Sequence, residues 1–101
     1  ITITGDVDEA VKDADIIYTD VFISMNEQDD EEKKNKLSRY RVTKEVMAKA
    51  KPDALFMHCM PVHRGEEVSA DVVDGPQSIV YTQAENRLHL NKAVLTLLLR
   101  Q

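Results

Sequence analysis

The chain has 101 residues, of which 43% are hydrophobic and 31% are charged, and its formal net charge is −5. This length is enough for one hydrophobic core but lies below the usual size of a complete doubly wound enzyme, so we expect one domain or part of one. The negative charge and the dispersed basic residues argue against a nucleic-acid partner, and no apolar run approaches the roughly 20 residues of a membrane span.

The first part of the chain alternates short strands and helices. Ile1–Thr4 has the composition of a strand, and the lack of an initiator Met there leads us to expect that the natural protein extends upstream. Asp6 is suited to cap a helix through Asp8–Lys12. Ile16–Thr19 is a compact run rich in β-branched residues, which is typical of a strand.

A charged segment follows a loop at Ser24–Asn26. Asn26 and the acidic residues behind it predict the start of a helix, and in the run to Lys36 the acids precede the lysines, as the helix dipole favours. A second helix is predicted after Thr43, a suitable N-cap, and should stop before Pro52.

The second half continues the same pattern. Ala54–Met57 predicts a buried strand, Ser69 a cap for a short helical turn, and Ser78–Tyr81 a last strand. From Ala84 the chain should be helical, because apolar residues recur at steps of three and four. Successive strand–helix units predict an α/β fold with three layers and a mainly parallel, Rossmann-like sheet, of which residues 1–101 would form an incomplete half-domain.

Three predicted strands are each followed by polar residues. The carboxyl ends of parallel strands lie at one sheet edge, so these loops should form one site. Together they offer an acid for an ammonium group, hydroxyl and backbone groups for a carboxylate, and an arginine for an anionic or carbonyl group. The three sets are Thr19-Asp20 with Ser24-Met25, His58-Cys59 with His63-Arg64, and Gln83 with Glu85-Asn86-Arg87.

Simpler interpretations stand beside this one. A lone cysteine is commonly a small core residue, and the one cysteine of the chain has no internal disulfide partner. Zinc on His58, Cys59 and His63 lacks a second ligand pair at zinc-finger spacing, and nothing places a base and an oxyanion hole around a Cys59–His63 hydrolase pair. The residues that could simply be solvated or surface residues are His63, Arg64, Glu66, Glu67, Arg87 and His89, and Asp20 could merely cap a turn.

The order of the motifs nevertheless resembles one family. Asp20 with Ser24-Met25, then His58-Cys59-Met60-Pro61, then Glu85-Asn86-Arg87 are similar to the D-x3-S-M-G, H-C-L-P and E-N-R motifs of the ornithine carbamoyltransferases. The resemblance covers nearly the whole chain, which would be the distal part of the ornithine-binding domain. It implies transfer of the carbamoyl group of carbamoyl phosphate to the δ-amine of L-ornithine, in arginine biosynthesis or arginine catabolism.

For the amino-acid substrate, the resemblance implies that Asp20 binds the α-amino group and that Ser24 and Met25 form a loop that closes over it. The usual glycine after this Ser-Met pair is Asn26 here, and asparagine tolerates the left-handed region better than most residues. Phe22 stands where an aromatic residue, often Trp, is common in the family.

For the reaction, the resemblance implies that Cys59 lies beside the δ-amine, while His58 and Arg87 hydrogen-bond the carbamoyl carbonyl oxygen. Met60, which replaces a leucine of similar volume, would contribute its backbone carbonyl. The catalytic residues would therefore be Cys59, His58 and Arg87, and no metal or organic cofactor is implied.

The S-T-R-T-R phosphate motif of the family is absent from this sequence, so the carbamoyl phosphate-binding domain should lie outside it and the chain alone should be inactive. The expected partners are that amino-terminal domain and further copies in a homotrimer or higher homo-oligomer, in the cytoplasm. Two alternatives remain open: a carbamoyltransferase for putrescine or another amine, and a non-catalytic α/β module that acts by association.

Overall fold

The structure, a computed structural model, describes residues 1–100. This part of the chain contains five helices and two of the four predicted strands, and a 3-10 turn at Ser38–Tyr40 follows the second helix. The helices are α1 (Val7–Val11), α2 (Glu31–Leu37), α3 (Lys44–Met47), α4 (Ala70–Val73) and α5 (Val80–Leu99), and the strands are β1 (Ile16–Thr19) and β2 (Leu55–His58).

The two strands form a parallel sheet in which Ile16 pairs with Leu55 and Thr19 pairs with His58. This arrangement confirms the prediction of a parallel α/β, Rossmann-like fold. The predicted strand Ser78–Tyr81 is wrong, because only Ser78 makes a bridge, to Phe56, before α5 begins at Val80. The segment lies beside β2 but turns helical after one bridge.

The predicted strand at Ile1–Thr4 is also not formed. A strand requires a backbone ladder with a neighbour, and within residues 1–100 nothing pairs with this segment. Thr4 instead supports α1, since its hydroxyl donates to Glu9 and accepts from the backbone N–H of Asp6. Asp6 caps α1 as predicted, by accepting from the backbone N–H groups of Asp8 and Glu9.

The helix predicted after Asn26 begins later. Ser24 and Glu27 form a turn, in which the backbone N–H of Glu27 donates to the carbonyl of Ser24 at 2.9 Å. Asp30 is the actual cap, because its carboxylate accepts from the N–H of Lys33 at 3.0 Å. The cap at Thr43 is confirmed, as its hydroxyl accepts from the N–H of Val46.

The hydrophobic core lies on one side of the sheet. Ile17 and Phe56, on adjacent strands in register, are buried there against the valines of α4 and Val68. The opposite sheet side, with Ile16, Tyr18 and Leu55, is exposed. The helix predicted from Ala84 is confirmed, but of α5 only Val80 is buried, so its leucines do not cover the sheet within residues 1–100. No helix in this part of the chain combines the length and apolar character that a membrane span requires.

Candidate functional site

The carboxyl ends of β1 and β2 bring an acid and the cysteine together. Thr19 pairs with His58 in the parallel register, so the next residues, Asp20 and Cys59, are also neighbours. The Cys59 thiol donates to Asp20 Oδ1 at 3.0 Å. Two residues that the sequence predicted for one site are therefore in direct contact.

This contact shifts the pKa values of the two groups in opposite directions. Burial, reinforced by the hydrogen bond and the negative charge of Asp20, raises the pKa of the Cys59 thiol. The same hydrogen bond from Cys59, with a second from the N–H of Val21, lowers the pKa of Asp20. At neutral pH the pair is a thiol beside a carboxylate. The thiolate is the nucleophilic form of cysteine, and the raised pKa disfavours it. Cys59 therefore lacks the features of an activated nucleophile and is a neutral polar group at the end of β2.

We predict that Asp20→Asn lowers the pKa of Cys59, because the substitution removes the negative charge that opposes thiolate formation. The rate of iodoacetamide alkylation of the Cys59 peptide, followed by mass spectrometry against pH, should rise at lower pH than in the wild type. Asp15→Asn, at the opposite end of β1, is the control and should leave the profile unchanged. An unchanged profile for Asp20→Asn would contradict the assigned contact.

The first turns of α5 attach to the end of β2. Gln83 accepts from the backbone N–H of His58 at 3.0 Å and donates to the Tyr18 hydroxyl at 3.3 Å. Four residues later, on the same helix face, Arg87 donates to the carbonyl oxygen of Cys59 at 3.0 Å. The guanidinium carries five N–H donors, so most of its donors remain for an anionic or carbonyl group. From the sequence, Arg87 could have been only a surface residue of the helix. Its hydrogen bond to Cys59 holds it beside the Asp20–Cys59 pair.

His58 is buried, and both of its ring nitrogens are engaged within the chain. Nδ1 accepts from the backbone N–H of Met60 at 2.8 Å, which leaves Nε2 as the donor to Glu67 Oε1 at 3.0 Å. A contact from this ring to a substrate oxygen would require one of these hydrogen bonds to break. The geometry favours a positioning role for His58 over the direct contact that the resemblance implies.

Met60 follows in the left-handed region, with φ 59°. This conformation is unusual for a residue with a long side chain and costs on the order of 1 kcal/mol. Its N–H bond to the His58 ring offsets that cost, and its side chain packs against the core. The turn at residues 58–60 therefore places the Cys59 side chain next to Asp20, while the side chains of His58 and Met60 on either side of it are directed into the protein interior.

Glu67 is the site residue that sequence reasoning missed. The interpretation of Glu67 as a solvated residue is wrong, because its side chain is 0% exposed. Its Oε1 accepts from His58 Nε2 and from the backbone N–H of His63, at 3.0 and 2.7 Å. The one sequence feature that could have indicated burial of Glu67 is its apolar neighbour Val68, which is also fully buried. Its neighbour Glu66 is only partly exposed and pairs with Lys34.

The remaining predicted residues lie at the margin of this cluster. Ser24 and Met25 are exposed in their turn, and the Ser24 N–H donates to the carboxylate of Glu27 rather than to the Asp20–Cys59 pair. They line an open cavity together with His63, Lys34 and Glu66. Arg64 forms a two-pronged ion pair with Asp74, at 2.7 and 2.8 Å, and His89 contacts Glu85 on the surface of α5.

Comparison with known proteins gives a consistent result. The sequence pattern described as "Aspartate/ornithine carbamoyltransferase, Asp/Orn binding domain" matches residues 1–98. The chain is 52% identical over 100 residues to the ornithine carbamoyltransferase of Methanoculleus marisnigri, covering 98% of this chain and 32% of that protein. It is 56% identical over 92 residues to that of Pyrococcus abyssi, covering 90% of this chain and 29% of that protein.

Solved structures agree. The ornithine carbamoyltransferase of Pyrococcus furiosus superposes with a TM-score of 0.83 at 55% identity, covering 90% of this chain and 29% of that one. The ornithine carbamoyltransferase of Burkholderia thailandensis superposes with a TM-score of 0.84 at 46% identity, covering 98% of this chain and 30% of that one. The chain thus spans about a third of the length of these relatives. Within that span, the chain belongs to the aspartate/ornithine carbamoyltransferase family, in the part that forms the Asp/Orn-binding domain.

Proposed function

We propose that residues 1–101 are the distal part of the ornithine-binding domain of an ornithine carbamoyltransferase. The full-length protein would transfer the carbamoyl group of carbamoyl phosphate to the δ-amine of L-ornithine, giving L-citrulline and phosphate. The observation that carries the proposal is the convergence of Asp20, Cys59 and Arg87, one from each predicted motif, at the end of the sheet. The names of the similar proteins support the same assignment.

The electrostatics of this cluster suit the reaction. A neutral amine must attack a carbonyl carbon, and negative charge then develops on the carbonyl oxygen. Arg87, positioned by the Cys59 carbonyl, would donate to that oxygen, a stabilisation of about 3 kcal/mol for one well-placed donor. Cys59, held as a neutral thiol, would lie beside the δ-amine, and the ionised Asp20 would bind the α-ammonium group.

The other residues have supporting roles in this proposal. Ser24 and Met25 lie outside hydrogen-bonding contact with the pair, so we propose that their loop moves toward Asp20 when the amino acid binds. His58 would orient the turn through Met60, whose backbone carbonyl would face the reacting groups. Glu67 fixes the His58 ring and so belongs to this supporting layer.

The remainder of the enzyme lies outside this chain in the proposal. The phosphate-binding S-T-R-T-R motif of the family does not occur here, so carbamoyl phosphate would be bound by an amino-terminal domain. We extend the proposal to a cytoplasmic homotrimer or higher homo-oligomer that acts in arginine metabolism. The exposed outer sheet side and the exposed leucines of α5 are consistent with further protein packing against this unit.

A substrate comparison tests the proposal. The full-length protein, supplied with carbamoyl phosphate, should form citrulline from ornithine with a higher kcat/KM than it shows for carbamoylation of putrescine. Putrescine has the same reacting amine but lacks the α-carboxylate, so it is the matched control substrate. Failure to form citrulline would reject the enzyme assignment, and a preference for putrescine would reject the amino-acid role of the Ser24-Met25 loop.

A further inference from the structure

One polar side chain at the sheet edge is not used by the proposed reaction. Gln83 belongs to the polar set that the sequence places there, together with Arg87. It lies near the start of α5, where its backbone N–H donates to the carbonyl of Ile79 at 2.8 Å. Among residues 81–99, all of which the structure describes, Gln83 alone is not exposed. Its partial burial marks the point at which the long, exposed part of α5 is attached to the sheet.

The Gln83 side chain joins α5 to both strands. Its Oε1 accepts from the backbone N–H of His58, the last residue of β2, at 3.0 Å. Its Nε2 donates to the hydroxyl oxygen of Tyr18, on β1, at 3.3 Å. The backbone N–H can only donate, so it must face the amide oxygen, which leaves the amide N–H groups for the tyrosine. Both ends of the amide are thus engaged, and they hold the start of α5 at the carboxyl end of the sheet.

This attachment determines where Arg87 lies. Residues four apart stand one above the other on a helix, so Arg87 is one turn beyond Gln83 on the same face. Its Nη1 donates to the carbonyl oxygen of Cys59, the residue that follows His58. Two side chains of one helix face therefore contact two consecutive residues at the end of β2. A shift of the first contact would displace the second.

The Gln83 amide also orients the Tyr18 hydroxyl. The amide donates to the tyrosine oxygen, so the hydroxyl proton is free for another acceptor. Cys59 is the acceptor within reach: burial and Asp20 raise the pKa of its thiol, and a hydrogen bond with Tyr18 opposes them. Tyr18 is thus the second residue of the first strand and its end, after Asp20, that contacts the thiol.

We propose that Gln83 is a positioning residue for the carbamoyl transfer, which places the Arg87 guanidinium beside Cys59 and directs the Tyr18 hydroxyl toward the thiol. This inference rests on the proposed function, because it concerns the same reaction. Gln83 makes both of its contacts within the chain, so it acts through Arg87 and Tyr18 rather than on the substrate. Misplacement of a catalytic group by about 1 Å can cost about 10²-fold in rate.

Gln83→Met in the full-length protein tests the placement of Arg87. Methionine keeps the length of the side chain but loses both hydrogen bonds. We expect kcat for citrulline formation to fall by about 10- to 100-fold, while KM for ornithine changes by less than about threefold. Gln77→Met is the matched control, because Gln77 also bonds to β2, through the carbonyl of Ala54 at 2.7 Å, but at the opposite end of the strand. It should leave kcat unchanged.

A double variant separates positioning from a general loss of stability. If Gln83 acts through Arg87, Gln83→Met should reduce kcat much less in an Arg87→Ala background than in the wild type, because the group it positions is already absent. A merely structural role would reduce kcat by the same factor in both backgrounds.

Iodoacetamide alkylation of Cys59 tests the contact through Tyr18 without substrates. Gln83→Met and Tyr18→Phe should each move the alkylation profile to higher pH, because each weakens or removes the hydrogen bond that opposes the raised pKa of the thiol. This shift is opposite in direction to the one expected for Asp20→Asn. Gln77→Met should leave the profile unchanged.

The two readouts distinguish this inference from the proposed function. A wild type that forms no citrulline would reject the proposed reaction, and the alkylation profiles would still test the placement of the Tyr18 hydroxyl. With an active wild type, an unchanged kcat in Gln83→Met, equal factors in the two Arg87 backgrounds, or an unshifted alkylation profile would each overturn the positioning role of Gln83.

Discussion

Replacing Arg87 with alanine is expected to lower kcat for citrulline formation in the full-length protein by about 10²–10³-fold. Arg87 reaches the site from the first turns of α5 and is held there by the carbonyl oxygen of Cys59. Its other N–H donors are the groups that we assign to the developing negative charge on the carbamoyl oxygen. Steady-state kinetics with ornithine and carbamoyl phosphate would measure the loss.

The matched control for this prediction is Arg100→Ala, which removes the same charge at the other end of α5. It should leave kcat within about twofold, since an exposed charge that far along the helix is largely screened. Arg87→Lys is informative as well. Lysine keeps the charge but lacks the planar set of donors, so it should not restore full activity. Wild-type kcat in Arg87→Ala would contradict the role assigned to this residue.

Replacing Glu67 with alanine is expected to lower the free energy of unfolding by about 2–4 kcal/mol. Glu67 is fully buried, and its Oε1 is the acceptor for both the His58 ring and the backbone N–H of His63. Its removal would leave a buried imidazole donor without a partner and a cavity beside it. Urea denaturation of the variant and the wild type, analysed by linear extrapolation, would measure the difference.

The neighbouring residue provides the control. Glu66→Ala removes the same functional group one position earlier, but Glu66 is partly exposed and pairs only with Lys34. Surface ion pairs contribute about 0–1 kcal/mol, so this variant should unfold close to the wild type. Equal destabilisation by the two substitutions would show that the Glu67 contacts are not what stabilises the loop.

Local features were predictable from the sequence because they depend on neighbouring residues. Asp6 and Thr43 cap their helices as predicted, since a short side chain with an oxygen needs only the next few backbone N–H groups. The strands at residues 16–19 and 55–58 were recognisable from short apolar runs, with an error of one residue at the second.

Errors occurred where two local signals competed or where a partner was required. Both Asn26 and Asp30 can cap a helix, and Asp30 is the one used because Ser24 and Glu27 close a turn first. Ser78–Tyr81 has strand composition, but the residues beyond Ser78 continue into α5. Ile1–Thr4 lacks a strand to pair with among residues 1–100, and composition alone does not supply one.

For the site, the sequence by itself determined the chemical groups and the sheet edge on which they would lie. Asp20 and Cys59 follow the two predicted strands that form, and parallel pairing requires them to meet. Arg87 follows a predicted strand that does not form, and it reaches Cys59 from α5 instead. Only the tertiary structure decided how those groups are held. The inward turn of the His58 ring, the burial of Glu67 and its open oxygen depend on contacts between residues distant along the chain, which no local pattern encodes.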